Sequence, residues 1–159
     1  MILYFLRHGL AGLRSEWEGD DFGRPLTEEG ISRTKKTGKT LAEMDLDIDK
    51  VITSPLIRAK HTAKIVAEKT GLEDQLIEDE RLAPGFDRNK LQEILSDYPE
   101  DEVFLLVGHE PDFSLTISSL IRGGEIICKK GGLARVDIVD RKLLTGQLAW
   151  LIPPKFLAG

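Results

Sequence analysis

Two apolar runs in this chain end in the same unusual way. Ile2 to Leu6 breaks into Arg7-His8-Gly9, and Val103 to Val107 breaks into Gly108-His109-Glu110. Imidazole is the side chain whose charge changes near neutrality, and its neutral form can attack an electrophile. Guanidinium offers a planar fork of donors that matches the oxygens of a phosphate or carboxylate. Arg58 adds a second such fork a few residues after the short apolar segment Lys50-Val51-Ile52-Thr53. Two His and two Arg fit an anionic phosphoryl group. They fit a metal poorly, because no carboxylate set accompanies the imidazoles and two guanidiniums would repel a cation. His61, one turn beyond Arg58, reads as a solvated or structural helix residue.

Positioning these groups requires particular elements. Runs apolar at every position read as central strands covered on both faces, and open α/β sheets bind ligands just beyond the carboxyl ends of such strands. Adjacent strands 2–6 and 103–107 would bring His8 and His109 to one edge. Gly9 and Gly12 would let the backbone turn and a ligand approach closely. Thr27 is an N-cap candidate for a helix carrying Ile31, Thr34, Gly38, Leu41 and Met44 at helical spacing, with Gly38 expected against the sheet. Ser54-Pro55 predicts a helix start, which puts Arg58 in a first turn, where the dipole disfavours a cation unless an anion binds there. A short strand is expected around Leu76-Ile77, followed by a helix capped by Asp87 with stripe Leu91, Ile94, Leu95 and Tyr98. Phe113, Ile117, Leu120 and Ile121 mark another helix. Leu133 to Val139 and Gln147 to Ile152 read as two strands joined by a hairpin-like connection. Residues 13–25 form a long polar loop, and a loop of that length in a compact domain tends to be functional or mobile. The sum is an α/β three-layer sandwich, a mostly parallel sheet with helices on both faces.

Composition sets the bounds. The chain has 159 residues, enough for one domain with a core, and 41% hydrophobic against 31% charged residues, the balance of a soluble globular protein. A formal net charge of -5 without a basic cluster argues against nucleic acid or an anionic membrane as partner. The N-terminal apolar run is too short for a leader or a span. A single cysteine, Cys128, leaves no disulfide framework and fits a reducing, cytoplasmic setting.

The segments LRHG (6–9), RPLT (24–27), SPLIRAKHT (54–62) and VGHEPD (107–112) together resemble the histidine phosphatase superfamily, which includes phosphoglycerate mutases and acid phosphatases. Their order and spacing are similar to those of its short members, the SixA-type phosphohistidine phosphatases. The resemblance covers nearly the whole chain and thins after residue 125. It implies a phosphoglycerate mutase-like fold over residues 1–159 as one domain, with a minimal lid insertion and a role in signal transduction. It implies that His8 is the nucleophile that becomes phosphorylated, that Arg7 and Arg58 bind phosphoryl oxygens and that His109 completes the pocket, best as a protonated donor. Arg24, Gly9 and Glu110 are further candidates for the phosphate site. No cofactor or metal is implied. The partner would be a phosphorylated protein bearing phosphohistidine, or a small phosphorylated molecule.

One departure from the wider superfamily bears on substrate. Its mutases and larger phosphatases insert a long segment, carrying a catalytic acid, between the Arg58-type and His109-type motifs. Here that stretch is short and shows no matching acid; Glu80, Asp87 and Glu110 read as caps or surface charge. A general acid contributes ~10²–10⁴-fold to expelling a poor leaving group such as an alkoxide. An imidazole protonated on its second nitrogen leaves neutral, with a pKa near about 6.5. The expectation is therefore a phosphohistidine protein phosphatase, with a small-molecule phosphomonoesterase and a non-catalytic phosphate-binding module as the alternatives.

Overall fold

The computed structural model describes residues 1–159. Six strands form one sheet: β1 (Ile2–Arg7), β2 (Lys50–Thr53), β3 (Leu76–Glu78), β4 (Val103–Gly108), β5 (Leu133–Asp140) and β6 (Thr145–Ile152). Their order is β3-β2-β4-β1-β5-β6. The first four are parallel, while β5 runs antiparallel to β1 and β6 antiparallel to β5. The mostly parallel sheet read from the sequence is thus closed on one side by an antiparallel hairpin, which covers the edge that β1 would otherwise expose.

The pleat of the central strands divides the core in two. On one face Leu3 and Phe5 of β1 and Phe104 and Leu106 of β4 pack with Leu91, Ile94 and Leu95 of α3 (Arg88–Ser96) and Phe113, Ile117 and Leu120 of α4 (Asp112–Leu120). On the other face Tyr4 and Leu6, with Leu105 and Val107, meet Leu41 of α1 (Glu28–Met44) and Ala59, Ala63 and Val66 of α2 (Ile57–Thr70). Side chains alternate across a strand, so apolar residues at every position of β1 and β4 require cover on both sides. The result is the three-layer sandwich.

Local chemistry sets the helix ends. Thr27 Oγ1 accepts from the Gly30 amide at 3.0 Å, and Asp87 caps α3 through the Lys90 amide at 2.9 Å. Gly38 packs on α2, not on the sheet: a Cβ there would lie 2.8 Å from the Lys69 side chain. Gly30 fixes the approach of α1 to the first loop, since a Cβ would sit 2.0 Å from the Leu10 carbonyl oxygen. A short helix, α5 (Pro154–Leu157), follows Pro153. No helix is long and apolar enough to cross a membrane.

Candidate active site

Strand register builds the centre of the site. Arg7 pairs with Gly108 across β1 and β4, so the next residue on each strand is a histidine. The His8 amide donates to the Gly108 carbonyl at 3.0 Å, and the two imidazole centroids lie 5.3 Å apart. His8 is 4% exposed and His109 3%. From β2, on the far side of β4, the Ser54 amide donates to the Val107 carbonyl at 3.0 Å, which sets Ser54 Oγ 2.7 Å from His109 Nε2.

Ser54 corrects the expected helix start. α2 begins at Ile57 with Leu56 in the cap position, not at Ser54-Pro55. The Ser54 hydroxyl accepts from the Leu56 amide at 3.2 Å, closing a turn ahead of the helix, and its remaining capacity goes to His109. Arg58 nevertheless falls in the first turn of α2, buried at 5% exposure.

The hydrogen bonds of His8 leave one tautomer. Nδ1 lies 2.7 Å from the Gly9 carbonyl oxygen, which can only accept, so Nδ1 carries the proton. Nε2 lies 3.3 Å from Arg58 Nε, which can only donate, so Nε2 presents a lone pair. Thr62 steadies this turn: its hydroxyl accepts from the Gly9 amide at 3.0 Å and donates to the Arg58 carbonyl at 2.7 Å. Gly9 has no room for a side chain, as a Cβ would meet Thr34 Oγ1 at 2.6 Å.

Asp21, within the 13–25 loop, holds two guanidiniums at once. Arg58 donates through Nη1 to the Asp21 carbonyl at 2.9 Å and through Nη2 to its carboxylate at 3.1 Å. Arg24 Nε donates to the other carboxylate oxygen at 2.9 Å, while its Nη1 reaches the Gly12 carbonyl. Arg7 Nη1 donates to the Cys128 carbonyl at 3.0 Å. Two buried polar atoms here, Arg7 Nε and His109 Nδ1, have no protein partner. Unpaired buried polar atoms are rare enough in folded proteins to need a reason, and an anion bound in the cleft is one. These groups line a cleft of about 320 Å³ at the carboxyl edge of the sheet, which gathers His8, His109, Arg7, Arg24, Arg58 and Glu110.

The match to known families agrees with this geometry. Residues 3–102 fit the family model of the histidine phosphatase superfamily (branch 1). The chain belongs to the histidine phosphatase superfamily. It is 33% identical to an uncharacterized protein of Picosynechococcus sp. over 96% of this chain and all of that one. Among solved structures, the protein histidine phosphatase SixA complexed with tungstate superposes with a TM-score of 0.87 at 24% identity, covering 99% of each chain. The alpha-ribazole phosphatase from Shigella flexneri superposes with a TM-score of 0.76 at 20% identity, covering 97% of each chain. These superpositions establish a shared fold with both.

In this histidine phosphatase superfamily member the carboxylates fall into two groups. Glu80 is exposed and Asp87 is spent as the cap of α3; neither lines the cleft. Glu110 does line it, but its carboxylate accepts from the Ser114 amide at 3.0 Å and the Ser114 hydroxyl at 2.6 Å, closing the first turn of α4. The Asp21 carboxyl is only partly buried, which works against ionisation, yet the Arg24 hydrogen bond and the Arg58 charge hold its pKa below the usual carboxylate value. His61 stays outside the cleft. No three His, Cys, Asp or Glu side chains converge as a metal-ligand set.

Burial dominates the histidines. It pushes the His8 pKa down to about 3, with the charges of Arg58 and Arg7 adding to it, and the His109 pKa down to about 4, with Arg58 again contributing. Both imidazoles are neutral at neutral pH before any anion binds, whereas the resemblance favours a protonated His109. The stability consequence has a definite sign. Below 6.5 the unfolded chain takes up protons that the folded chain refuses, so unfolding free energy falls as pH falls toward about 4. Urea unfolding midpoints are expected to drop between pH 6.5 and about 5, above the range in which most carboxylates titrate. A His8→Asn/His109→Asn double variant should flatten that slope; an equal slope in both proteins would contradict the assigned shifts.

Proposed function

We propose that this protein is a phosphatase that transfers a phosphoryl group to His8 Nε2 and then to water, and that its substrate is phosphohistidine in a protein. The observation that carries the reading is the His8 tautomer: a buried imidazole whose Nδ1–H is tied to the Gly9 carbonyl and whose Nε2 lone pair accepts from Arg58 Nε at 3.3 Å, a long hydrogen bond that must yield as the lone pair turns to phosphorus.

In the first step the Nε2 lone pair forms a bond to phosphorus while the bond to the substrate imidazole nitrogen breaks, its electron pair leaving with that nitrogen. Protonation of the second substrate nitrogen lets the imidazole depart neutral. Phosphoryl transfer asks little of the protein beyond positioning and charge stabilisation at the phosphoryl oxygens. Arg7 Nε is a donor without a protein partner, His109 Nδ1 is an unpartnered ring nitrogen, and the Arg58 and Arg24 guanidiniums supply positive charge. When Ser54 donates to His109 Nε2, the His109 proton resides on Nδ1, the atom left for a phosphoryl oxygen. In the second step water attacks phosphorus, the bond to His8 breaks, and inorganic phosphate leaves. Gly9 shapes the turn that follows His8, and Glu110, closing the first turn of α4, lines the cleft.

The choice of leaving group rests on the acids. Asp21 is held ionised between two guanidiniums, Glu110 is engaged by Ser114, and Glu80 and Asp87 lie outside the cleft. That set suits a leaving group that needs no proton from the enzyme. A small-molecule phosphomonoesterase is the second reading, favoured by the cleft volume of about 320 Å³, which admits a metabolite. The two separate in an assay: kcat/KM for a phosphohistidine peptide is expected to exceed that for common alkyl phosphates by at least about 10²-fold, the low end of a general acid's contribution. Glu80→Gln, Asp87→Asn and Glu110→Gln should each slow the reaction only slightly. Equal rates on both substrate classes, with collapse in one of those variants, would establish the phosphomonoesterase reading.

A further inference from the structure

The segment between α4 and β5 brings into the cleft a cation that carries no motif. The chain turns at Cys128–Gly132 across the end of β1: the Gly131 amide is shared between the Arg7 and His8 carbonyls at 3.1 and 3.0 Å, and the Arg7 amide donates to the Gly132 carbonyl at 3.1 Å. Gly131 takes the positive φ of 76° that this turn requires. With the Arg7 side chain also on the Cys128 carbonyl, the backbone around Lys130 is tied to the catalytic strand from both sides.

Lys130 lines the same cleft as Arg7, His8, Arg58 and His109 and is half-buried. It has no carboxylate within ion-pair distance, in contrast to Lys60, which meets Glu78 at 2.6 Å on the surface. Burial, with the charges of Arg7, Arg24 and Arg58, pushes its pKa down. Holding an ammonium partly out of water against three guanidiniums opposes folding and returns nothing to the free protein. An anion in the cleft reverses the sign of that balance, because every one of the four cations is then attracted to it.

We propose that Lys130 binds an oxygen of the phosphoryl group, from the β5 side of the cleft, opposite Arg58 on the β2 side. In the strand order β2-β4-β1-β5 the two histidines follow the middle pair, so these cations flank the phosphorus position from the two outer strands. The assignment rests on the phosphoryl-transfer reading of the cleft, and its test uses binding, which does not depend on turnover.

Calorimetric titration of the full-length protein with inorganic phosphate and with orthovanadate, compared between wild type, Lys130→Met and Lys130→Arg, provides the test. A hydrogen bond to a charged group is worth a factor of about 10–10² in affinity, so Lys130→Met should weaken both oxyanions by that factor. Lys130→Arg should keep most of it. The unfolding temperature of Lys130→Met should equal or exceed that of wild type, because the removed charge has no carboxylate within ion-pair distance and is opposed by Arg7, Arg24 and Arg58. Oxyanion affinity unchanged in Lys130→Met would overturn the proposal. So would weakened binding accompanied by a lower unfolding temperature, which would mark a structural role. Tight oxyanion binding that depends on Lys130 without hydrolysis of any phosphorylated substrate would retain this assignment while refuting the catalytic reading.

Discussion

His8→Ala is expected to abolish turnover while leaving the protein folded. Loss of a nucleophile costs on the order of 10⁶ in rate where such series have been measured in other enzymes. Here the substitution removes the atom that would form the bond to phosphorus, and no neighbouring side chain can replace it. His109 is the other imidazole in the cleft, but its Nε2 is held by Ser54 at 2.7 Å, a tighter contact than the 3.3 Å of Arg58 on His8 Nε2. With Ser54 donating there, His109 Nδ1 carries a proton and has no lone pair to attack with. The fold should survive, because β1 is held on both sides by ladders to β4 and β5 that do not involve the imidazole. Steady-state assay beside circular dichroism checks both halves. Retention of more than about a tenth of wild-type activity would contradict the assignment.

Arg58→Ala should have the next largest effect. A cationic finger on a transferring phosphoryl group is worth about 10³–10⁵ in kcat in other phosphoryl-transfer enzymes. Arg58 does three things at once: its Nε donates to His8 Nε2, its Nη groups hold Asp21, and its charge lowers the pKa of both histidines. A lysine cannot reproduce that fork, so Arg58→Lys should recover only part of the loss. Removing the charge should also raise the His8 and His109 pKa values, which an NMR titration of the imidazole resonances would read. A rate loss under tenfold, with unshifted imidazole titrations, would remove Arg58 from the site.

The sequence showed most clearly what periodicity and strand ends encode. β1 and β4 are apolar at every position because both faces are covered, so their adjacency and the meeting of His8 with His109 follow from ordinary sheet architecture. Features that depend on a single long-range polar contact were hidden. Asp21 lies in a polar loop without periodicity, and nothing local indicates that its carboxylate reaches Arg58 in another element. Ser54 looked like a helix cap because Ser-Pro commonly starts a helix, yet its hydroxyl closes a turn and contacts His109 while the helix waits until Ile57. Gly38 signalled close packing, but only the tertiary structure shows the neighbour to be α2. Helix α5 has four residues, too few to display a period. Lys130 sits in a Lys-Lys-Gly-Gly stretch whose composition suggests a solvated turn, and only the hydrogen bonds of Gly131 and Gly132 bring it to β1.

Catalysis through His8 requires a covalent bond between phosphorus and His8 Nε2. Mixing the protein with a phosphohistidine peptide, quenching in alkali within the first turnovers and mapping the digest by mass spectrometry tests it directly. An acid-labile, alkali-stable phosphate is expected on the peptide that contains His8 and is expected to be absent from His8→Ala. Turnover with no phosphate on that peptide, or with phosphate on another residue, would contradict it.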